Sequence, residues 1–362
     1  MSMKIALLTC RDFIIPGGAE RLEIDIARAL DATIVCLSVD SHFFQVYPIS
    51  QEVHFHQLKK KLPDEPLKQL FGMNMFRNVS LPYDFFIVMD DMALRYLVHK
   101  VFHVYYMHTP RRVFYDMYYP SINELSGIKK PLMISILNLF RFLDQRFVKK
   151  YVTNIACNSH NTRNRIWKTY QRDAKVLYPP VHLNEYHNFE YGDFWLSVTR
   201  VDKWKRIELQ IETFRLLPSK KLIVAGKIYP RYEKIVNSAP KNVIFLNTVS
   251  DERLFQLYST CRGFITTAID EDFGITPLEA MASGKPVVAV KEGGYLETVV
   301  DGMTGLLVGP EPEEIASAIR KIDENPEEFA SNCVHRAELF DYHIFKDQLI
   351  TYVRTCIENQ NI

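Results

Sequence analysis

The feature that most constrains this chain is an alternation that runs almost its whole length. Short runs of branched and aromatic residues (KIALLT, ATIVCLSV, DFFIVM, FHVYYM, then Asn154–Asn158 and Lys175–Tyr178) are separated by helix-like stretches such as Ala19–Leu30. Continuous apolar runs mark strands buried on both faces, and their alternation with amphipathic segments predicts parallel sheets covered by helices. At 178–194 the pattern breaks: YPPVHLNEYHNFEYGDF has two prolines, polar residues, aromatics and no helical period, and reads as a linker. The alternation then resumes. WLSVT, KLIVAG, NVIFL, GFITT and PVVAV are strand candidates, with helices near 205–217, 230–238, 251–259 and 276–283 and a last one at Tyr342–Ile357. The fold class is therefore α/β, with two Rossmann-like parallel-sheet domains facing a cleft. The expected division is 1–182, 183–340, and a tail 341–362 packing back on the first domain. Ligands of such folds bind beyond the carboxyl ends of strands.

Composition narrows the partners. The 362 residues carry 44 Lys plus Arg against 43 Asp plus Glu, so the net charge is +1; a coat for nucleic acid would carry a basic excess. The six cysteines form no CxxC pair, which excludes zinc fingers and a small disulfide scaffold and points to a reducing compartment. Leu132–Phe140 is interrupted by Asn138 and is far short of the roughly 20 residues a membrane span needs. A cytoplasmic protein is expected.

Seven of the 14 glycines fall between Gly274 and Gly309. Leading into that stretch GFITT ends, a loop carries Glu271, and a helix begins. Thr276-Pro277-Leu278-Glu279 reads as a capping box with Thr276 as N-cap. The amides of Gly274, Ile275 and Thr276 would then form a helix N-terminus suited to a phosphate. Asp270-Glu271-Asp272 is either a metal-holding D-x-D triplet or a solvated acidic loop. Glu271 and Glu279 are eight positions apart, an E-x7-E spacing.

EDFGITPLEAMASGKPVVAVKEGGYLETVVDGMTGLLV closely resembles the donor segment of glycosyltransferase family 4, which comprises retaining, nucleotide-sugar-dependent enzymes of the GT-B fold. PGGAE at 16–20 and SVTRVDKWKRIEL at 197–209 extend the resemblance. YYMHTPRRVFYDMYY at 105–119 resembles the H-T-P-x-R signature of a mannosyltransferase-like branch, with His108, Thr109, Pro110, Arg112 and Asp116 matching and Val113 and Tyr115 departing. KWKR stands where Lys-Gly is commoner, and Asn247 where relatives often have Gly.

The resemblance implies a site. Arg200 and Lys205 would grip the donor diphosphate, lowering the barrier to its departure. Gly17, Gly18 and the main chain at Phe273, Gly274, Ile275 and Thr276 would approach the donor. Glu271 would hold the sugar, Glu279 the ribose, and His108 would steady the oxocarbenium charge. Val249 is a candidate base contact, with a packed loop residue as its alternative. No cofactor is expected, and cations in place of a metal predict activity in EDTA. The implied function is transfer of a hexose, best guess mannose from GDP-mannose, to a glycan or polyprenyl-linked glycan. A UDP-sugar enzyme and a silent nucleotide-sugar-binding subunit are the alternatives. Residues 125–150 mix Leu, Ile and Phe with Lys129, Lys130, Arg141, Arg146, Lys149 and Lys150. They form either an interfacial helix at the inner face of a membrane or a domain helix with one basic face.

Overall fold

The computed structural model describes residues 3–58, 75–123, 126–127 and 129–359. Leu125, Ile128 and the Lys129 side chain, part of the basic-apolar stretch, lie outside the described residues. The chain divides into two compact units: Met1–Tyr178 with Lys346–Ile362, and Pro179–Phe345.

The first unit is built on seven strands: β1 (Ile5–Leu8), β2 (Thr33–Cys36), β3 (Phe55–Gln57), β4 (Phe85–Val88), β5 (Phe102–Met107), β6 (Asn154–Cys157) and β7 (Lys175–Val176). Their order is β3-β2-β1-β4-β5-β6-β7 and every pairing is parallel. β4 is buried at every position, as its FFIV sequence requires of a strand covered on both faces. β3 escapes the sequence reading because FHQ is short, mostly exposed and at the sheet edge. A small parallel pair, Asp12–Phe13 with Ser38–Val39, stands beside the sheet.

The second unit repeats the plan with β8 (Phe194–Val198), β9 (Lys221–Ala225), β10 (Val243–Asn247), β11 (Gly263–Thr266), β12 (Val287–Val290) and β13 (Gly305–Val308). Their order is β10-β9-β8-β11-β12-β13, again parallel throughout. In both units the order reverses beside the first strand: between β1 and β4, and between β8 and β11. These are the switch points at which doubly wound sheets bind ligands.

The final helix, Tyr342–Glu358, begins in the second unit and ends in the first. There the Tyr352 hydroxyl donates to the Ile155 carbonyl at 3.0 Å. All six cysteines are buried, as thiols outside any disulfide. The helix Lys129–Tyr151 buries Leu137, Phe147 and Val148, while Leu132, Leu139 and Phe142 stay about 60% exposed. Among the described residues no helix is long and apolar enough to cross a membrane.

Candidate functional site

In the second unit the candidate side chains flank the switch point. After β8 the chain turns through Arg200 into a short helical turn, Lys203–Lys205, and then the helix Ile207–Arg215. Asp202 builds that turn: its carboxylate accepts from the main-chain amides of Trp204 at 2.9 Å and Lys205 at 3.2 Å. The turn is bonded to the segment after β11, with the Ile269 amide donating to Trp204 O at 2.8 Å and the Thr267 hydroxyl to Lys205 O at 2.9 Å. Lys205 Nζ thereby comes within 2.5 Å of Glu271 Oε2. The Arg200 side chain is 61% exposed, with Asp202 3.9 Å away.

Glu271 sits in a loop that only glycines can close. Gly294 donates its amide to Glu271 O at 2.7 Å, and a Cβ on Gly293 or Gly294 would lie within 2.6 Å of the main chain at 270–273. Tyr295 follows, buried. Its hydroxyl is 2.5 Å from Thr266 Oγ1. Burial, and then the charge of Glu271, holds that phenol well above its ordinary pKa.

The helix after this loop spans Ile275–Ala282, and its N-cap is Gly274 at φ 89°, ψ 71°. This corrects the Thr276 capping box. The helix begins earlier because Gly274 alone tolerates the left-handed backbone and the Tyr295 ring, which lies 2.8 Å from where a Cβ would be. Glu279 consequently sits beyond the first turn. Its Oε2 accepts from the buried Tyr258 hydroxyl at 2.6 Å. Phe273 is 3% exposed and packs on Phe340, so only its main chain is available to a ligand. Val249 is half-buried in the loop after β10.

Two departures from the family pattern acquire a structural reason. Arg206, where Gly is commoner, has φ 48°, and Asn247 has φ 58°. Arg206 is held by Glu292 at 2.9 Å, whose other oxygen accepts from the Asp270 amide at 3.2 Å. Asn247 accepts from the Ile228 amide at 3.3 Å. Asn is among the non-glycine residues that best tolerate left-handed backbone. Among the described residues no group of three or more His, Cys, Asp or Glu is arranged to hold a metal ion.

In the first unit, polar groups gather around β1, β4 and β5. Gly17 caps the helix Gly18–Leu30, and Glu20 folds back to accept from the Gly17 amide at 3.1 Å. Arg11 binds Glu20 at 3.2 Å and the buried Glu23 at 2.9 Å. Gly18 faces open space. His108 follows β5, where the sequence places it. Its main-chain carbonyl accepts from the Thr162 hydroxyl at 3.0 Å, and its ring meets Tyr106 edge-on. Its Nε2 is buried without a hydrogen-bond partner among the described residues. Burial, and then the charge of Arg11, lowers the imidazole to about 4, so it is neutral at pH 7. In the rest of the signature, Arg112 binds Asp116 at 2.8 Å and Arg165 donates to the Thr109 hydroxyl at 2.9 Å.

Sequence reasoning missed Tyr258, Tyr295 and Arg206. A tyrosine 21 positions before Glu279 leaves no local signal, and the Gly-Gly before Tyr295 marks a turn without revealing what the ring touches.

Comparisons with known proteins bear on the fold and on residues 184–340. Residues 184–340 match the family model described as Glycosyl transferases group 1. The alpha-1,3/1,6-mannosyltransferase ALG2 of Dictyostelium discoideum is 28% identical over 66% of this chain and 67% of that protein. ALG2 of Candida glabrata is 26% identical over 95% and 91%. ALG2 of Mus musculus is 28% identical over 57% of this chain, a match that spans 60% of the mouse protein. Among solved structures, HepE of Anabaena in complex with UDP and glucose aligns with a TM-score of 0.76 at 20% identity, covering 98% of this chain and all of that one. Sucrose-phosphate synthase of Thermosynechococcus elongatus aligns at 0.77 and 18%, covering 99% and 100%. These structural likenesses establish the GT-B fold. Within that fold, residues 184–340 are similar to the group 1 glycosyltransferases.

Proposed function

We propose that the chain transfers a mannosyl group from GDP-mannose to a glycan or polyprenyl-linked glycan with retention of configuration. The observation that carries this reading is the convergence, at one switch point, of the Lys205 ammonium, the Glu271 carboxylate and the helix N-terminus at Gly274. Cation and helix amides suit a diphosphate, and the carboxylate suits sugar hydroxyls. The mannosyl assignment draws on the ALG2 relatives and the HTPRR signature.

In this mechanism Arg200, Lys205 and the amides at 274–276 stabilise the charge that grows on the leaving diphosphate. Glu271 accepts from sugar hydroxyls and Glu279 from ribose hydroxyls. The bond from the anomeric carbon to phosphate oxygen breaks, the acceptor oxygen bonds that carbon on the same face, and its proton passes to the departing phosphate. His108 is suited to the oxocarbenium side because it is neutral; an imidazolium would repel the developing positive charge. Gly17 and Gly18 bring main chain close to donor or acceptor.

A donor screen by thermal shift tests the base and sugar. GDP-mannose should raise the melting temperature more than UDP- or ADP-sugars. Stabilisation by a UDP-sugar alone overturns the GDP assignment, and loss of the anomeric configuration in the product, read by NMR, overturns retention. Transfer should persist in EDTA, because protein cations neutralise the diphosphate. Loss restored only by Mg²⁺ or Mn²⁺ would assign a metal role to Asp270 and Asp272.

The acceptor reading includes contact with a membrane surface. Helix Lys129–Tyr151 exposes Leu132, Met133, Ile136, Leu139, Phe142 and Leu143, and also exposes Arg146, Lys149 and Lys150. Its single acid, Asp144, is taken by the hydroxyls of Tyr115 and Tyr170. Apolar residues beside unopposed cations suit an anionic lipid surface. Flotation with anionic but not zwitterionic vesicles is expected, and absence of flotation with both overturns it.

A further inference from the structure

The two acidic residues of the candidate donor site share an arrangement that the family pattern does not specify. Each is braced, directly or through its loop, by a tyrosine that is buried. Tyr258, on the helix Asp251–Thr260, is fully buried and donates to Glu279 Oε2 at 2.6 Å. Tyr295 is 2% exposed, its hydroxyl bonds Thr266, and the Gly294 amide just before it holds the Glu271 carbonyl at 2.7 Å. Tyr258 packs on Tyr186 and Phe264, with ring centroids at 5.8 and 5.9 Å. The Tyr295 ring fills the space where a side chain at Gly274 would stand, and so ties the helix cap to the Glu271 loop.

We propose that Tyr258 and Tyr295 are positioning residues. Tyr258 fixes the Glu279 carboxylate so that its other oxygen addresses the ribose. Tyr295 fixes the loop that carries Glu271 while setting the cap glycine beside it. The proposal rests on the donor reading above and adds what aims its two carboxylates. A carboxylate free to move must be ordered when the donor binds; one already held in place is not. Neither phenol is required to ionise, and buried hydroxyls facing carboxylates stay protonated.

The test separates the two residues by what each carboxylate does. For Tyr258 the probe is the nucleoside diphosphate of the preferred base, compared with its 2′-deoxy and 3′-deoxy forms by calorimetry. Wild-type protein should prefer the ribonucleotide. Tyr258→Phe should lose most of that preference, a drop of about tenfold, with binding of the deoxynucleotide that lost the contact unchanged. Glu279→Gln should lose it likewise. Intact discrimination in Tyr258→Phe alongside loss in Glu279→Gln overturns the positioning role and leaves the ribose reading standing. Intact discrimination in both variants overturns the ribose reading and the inference with it. For Tyr295, Tyr295→Phe should lower kcat about tenfold with donor KM within about twofold, and the effect should vanish in a Glu271→Gln background. An equal effect in that background overturns the coupling. Where a phenylalanine variant does not fold, 3-fluorotyrosine at the same position keeps the ring and changes the strength of the donor. The same parameter must then shift, and an unchanged value counts against the proposal.

Discussion

Lys205 and Glu271 form an ion pair at 2.5 Å with less than a quarter of either side chain exposed. The cation that the sequence assigns to the diphosphate is thus already matched to the carboxylate assigned to the sugar. The two roles are not independent. A diphosphate arriving at Lys205 meets a charge that Glu271 partly neutralises, and a sugar arriving at Glu271 meets an oxygen that Lys205 already holds. Donor with both parts present can satisfy both groups; nucleotide alone cannot.

Glu271→Gln should therefore act in opposite directions on binding and turnover. Release of Lys205 should tighten free nucleoside diphosphate about 1.5- to fivefold, the range expected of a partly exposed ion pair. Turnover of the nucleotide sugar should fall on the order of 100-fold or more as the sugar contact is lost. Calorimetry with the diphosphate and initial rates with the sugar donor check the two arms. Weaker diphosphate binding in the variant would show that Glu271 assists the phosphate site rather than competing for its cation.

The left-handed residues at 206 and 247 make a stability prediction. Asn247→Gly should leave the melting temperature almost unchanged, because relief at φ 58° is offset by the greater freedom of glycine in the unfolded chain. Asn247→Val should cost about 1–2 kcal/mol, since a β-branched residue is poorly tolerated there and the acceptor for the Ile228 amide is lost. Thermal denaturation of the three proteins decides it. A valine variant as stable as wild type would mean that the loop after β10 relaxes to another conformation.

These positions also show how far the sequence could be read. Buried strands such as FFIV and VVAV announce themselves because parallel sheets covered on both faces demand unbroken apolar runs. β13 was missed because Gly305 opens it at φ 150°, packed so close to Val287 that a Cβ would strike its carbonyl. A glycine chosen for close approach reads as a turn when its neighbour strand is unknown. Arg200, Lys205, Glu271 and Glu279 were legible as a motif, but their partners were not. Tyr258 comes from another helix and Tyr295 from beyond the next strand. The false capping box at Thr276 shows the same limit: a local pattern gave Glu279 a neighbour that the fold gives to Tyr258.

His108 should make the protein less stable in mild acid. Its folded value of about 4 lies below the ordinary histidine value of 6.5, so between those pH values the unfolded chain binds a proton that the folded chain refuses. Its contribution is constant above about pH 6.5 and is lost as the pH falls toward 4. A His108→Gln variant lacks this term. Chemical denaturation from pH 7 to 4 should show wild-type stability falling more steeply than that of the variant, by on the order of 2 kcal/mol across the window. Parallel curves would place His108 in contact with water and remove the reason for its neutrality in the proposed mechanism.

Lys285, in the SGKPVV segment, carries the corresponding test at alkaline pH. It is fully buried, donates to Asn188 Oδ1 at 2.7 Å and to the Glu190 carbonyl, and lies 4.2 Å over the Tyr191 ring. Tyr191 returns a bond to Gly284 O at 2.9 Å, so lysine and tyrosine lock the segment 188–191 to the end of the helix that bears Glu279. Lys285→Met keeps the apolar stem but leaves the Asn188 and Glu190 oxygens without their donor, and should cost about 1–3 kcal/mol. Burial lowers the ammonium to about 8, below an ordinary lysine near 10.5. Between those values the unfolded chain holds the extra proton, so the stability contributed by Lys285 rises with pH there and is lowest below pH 8. The gap between wild type and Lys285→Met should accordingly widen from pH 8 to 10. Cys261, the thiol whose charge would act on Lys285, is pushed up to about 12 by burial and stays protonated over that range. A gap that narrows over that range would mean that the charge on Lys285, rather than its hydrogen bonds, holds the segment in place.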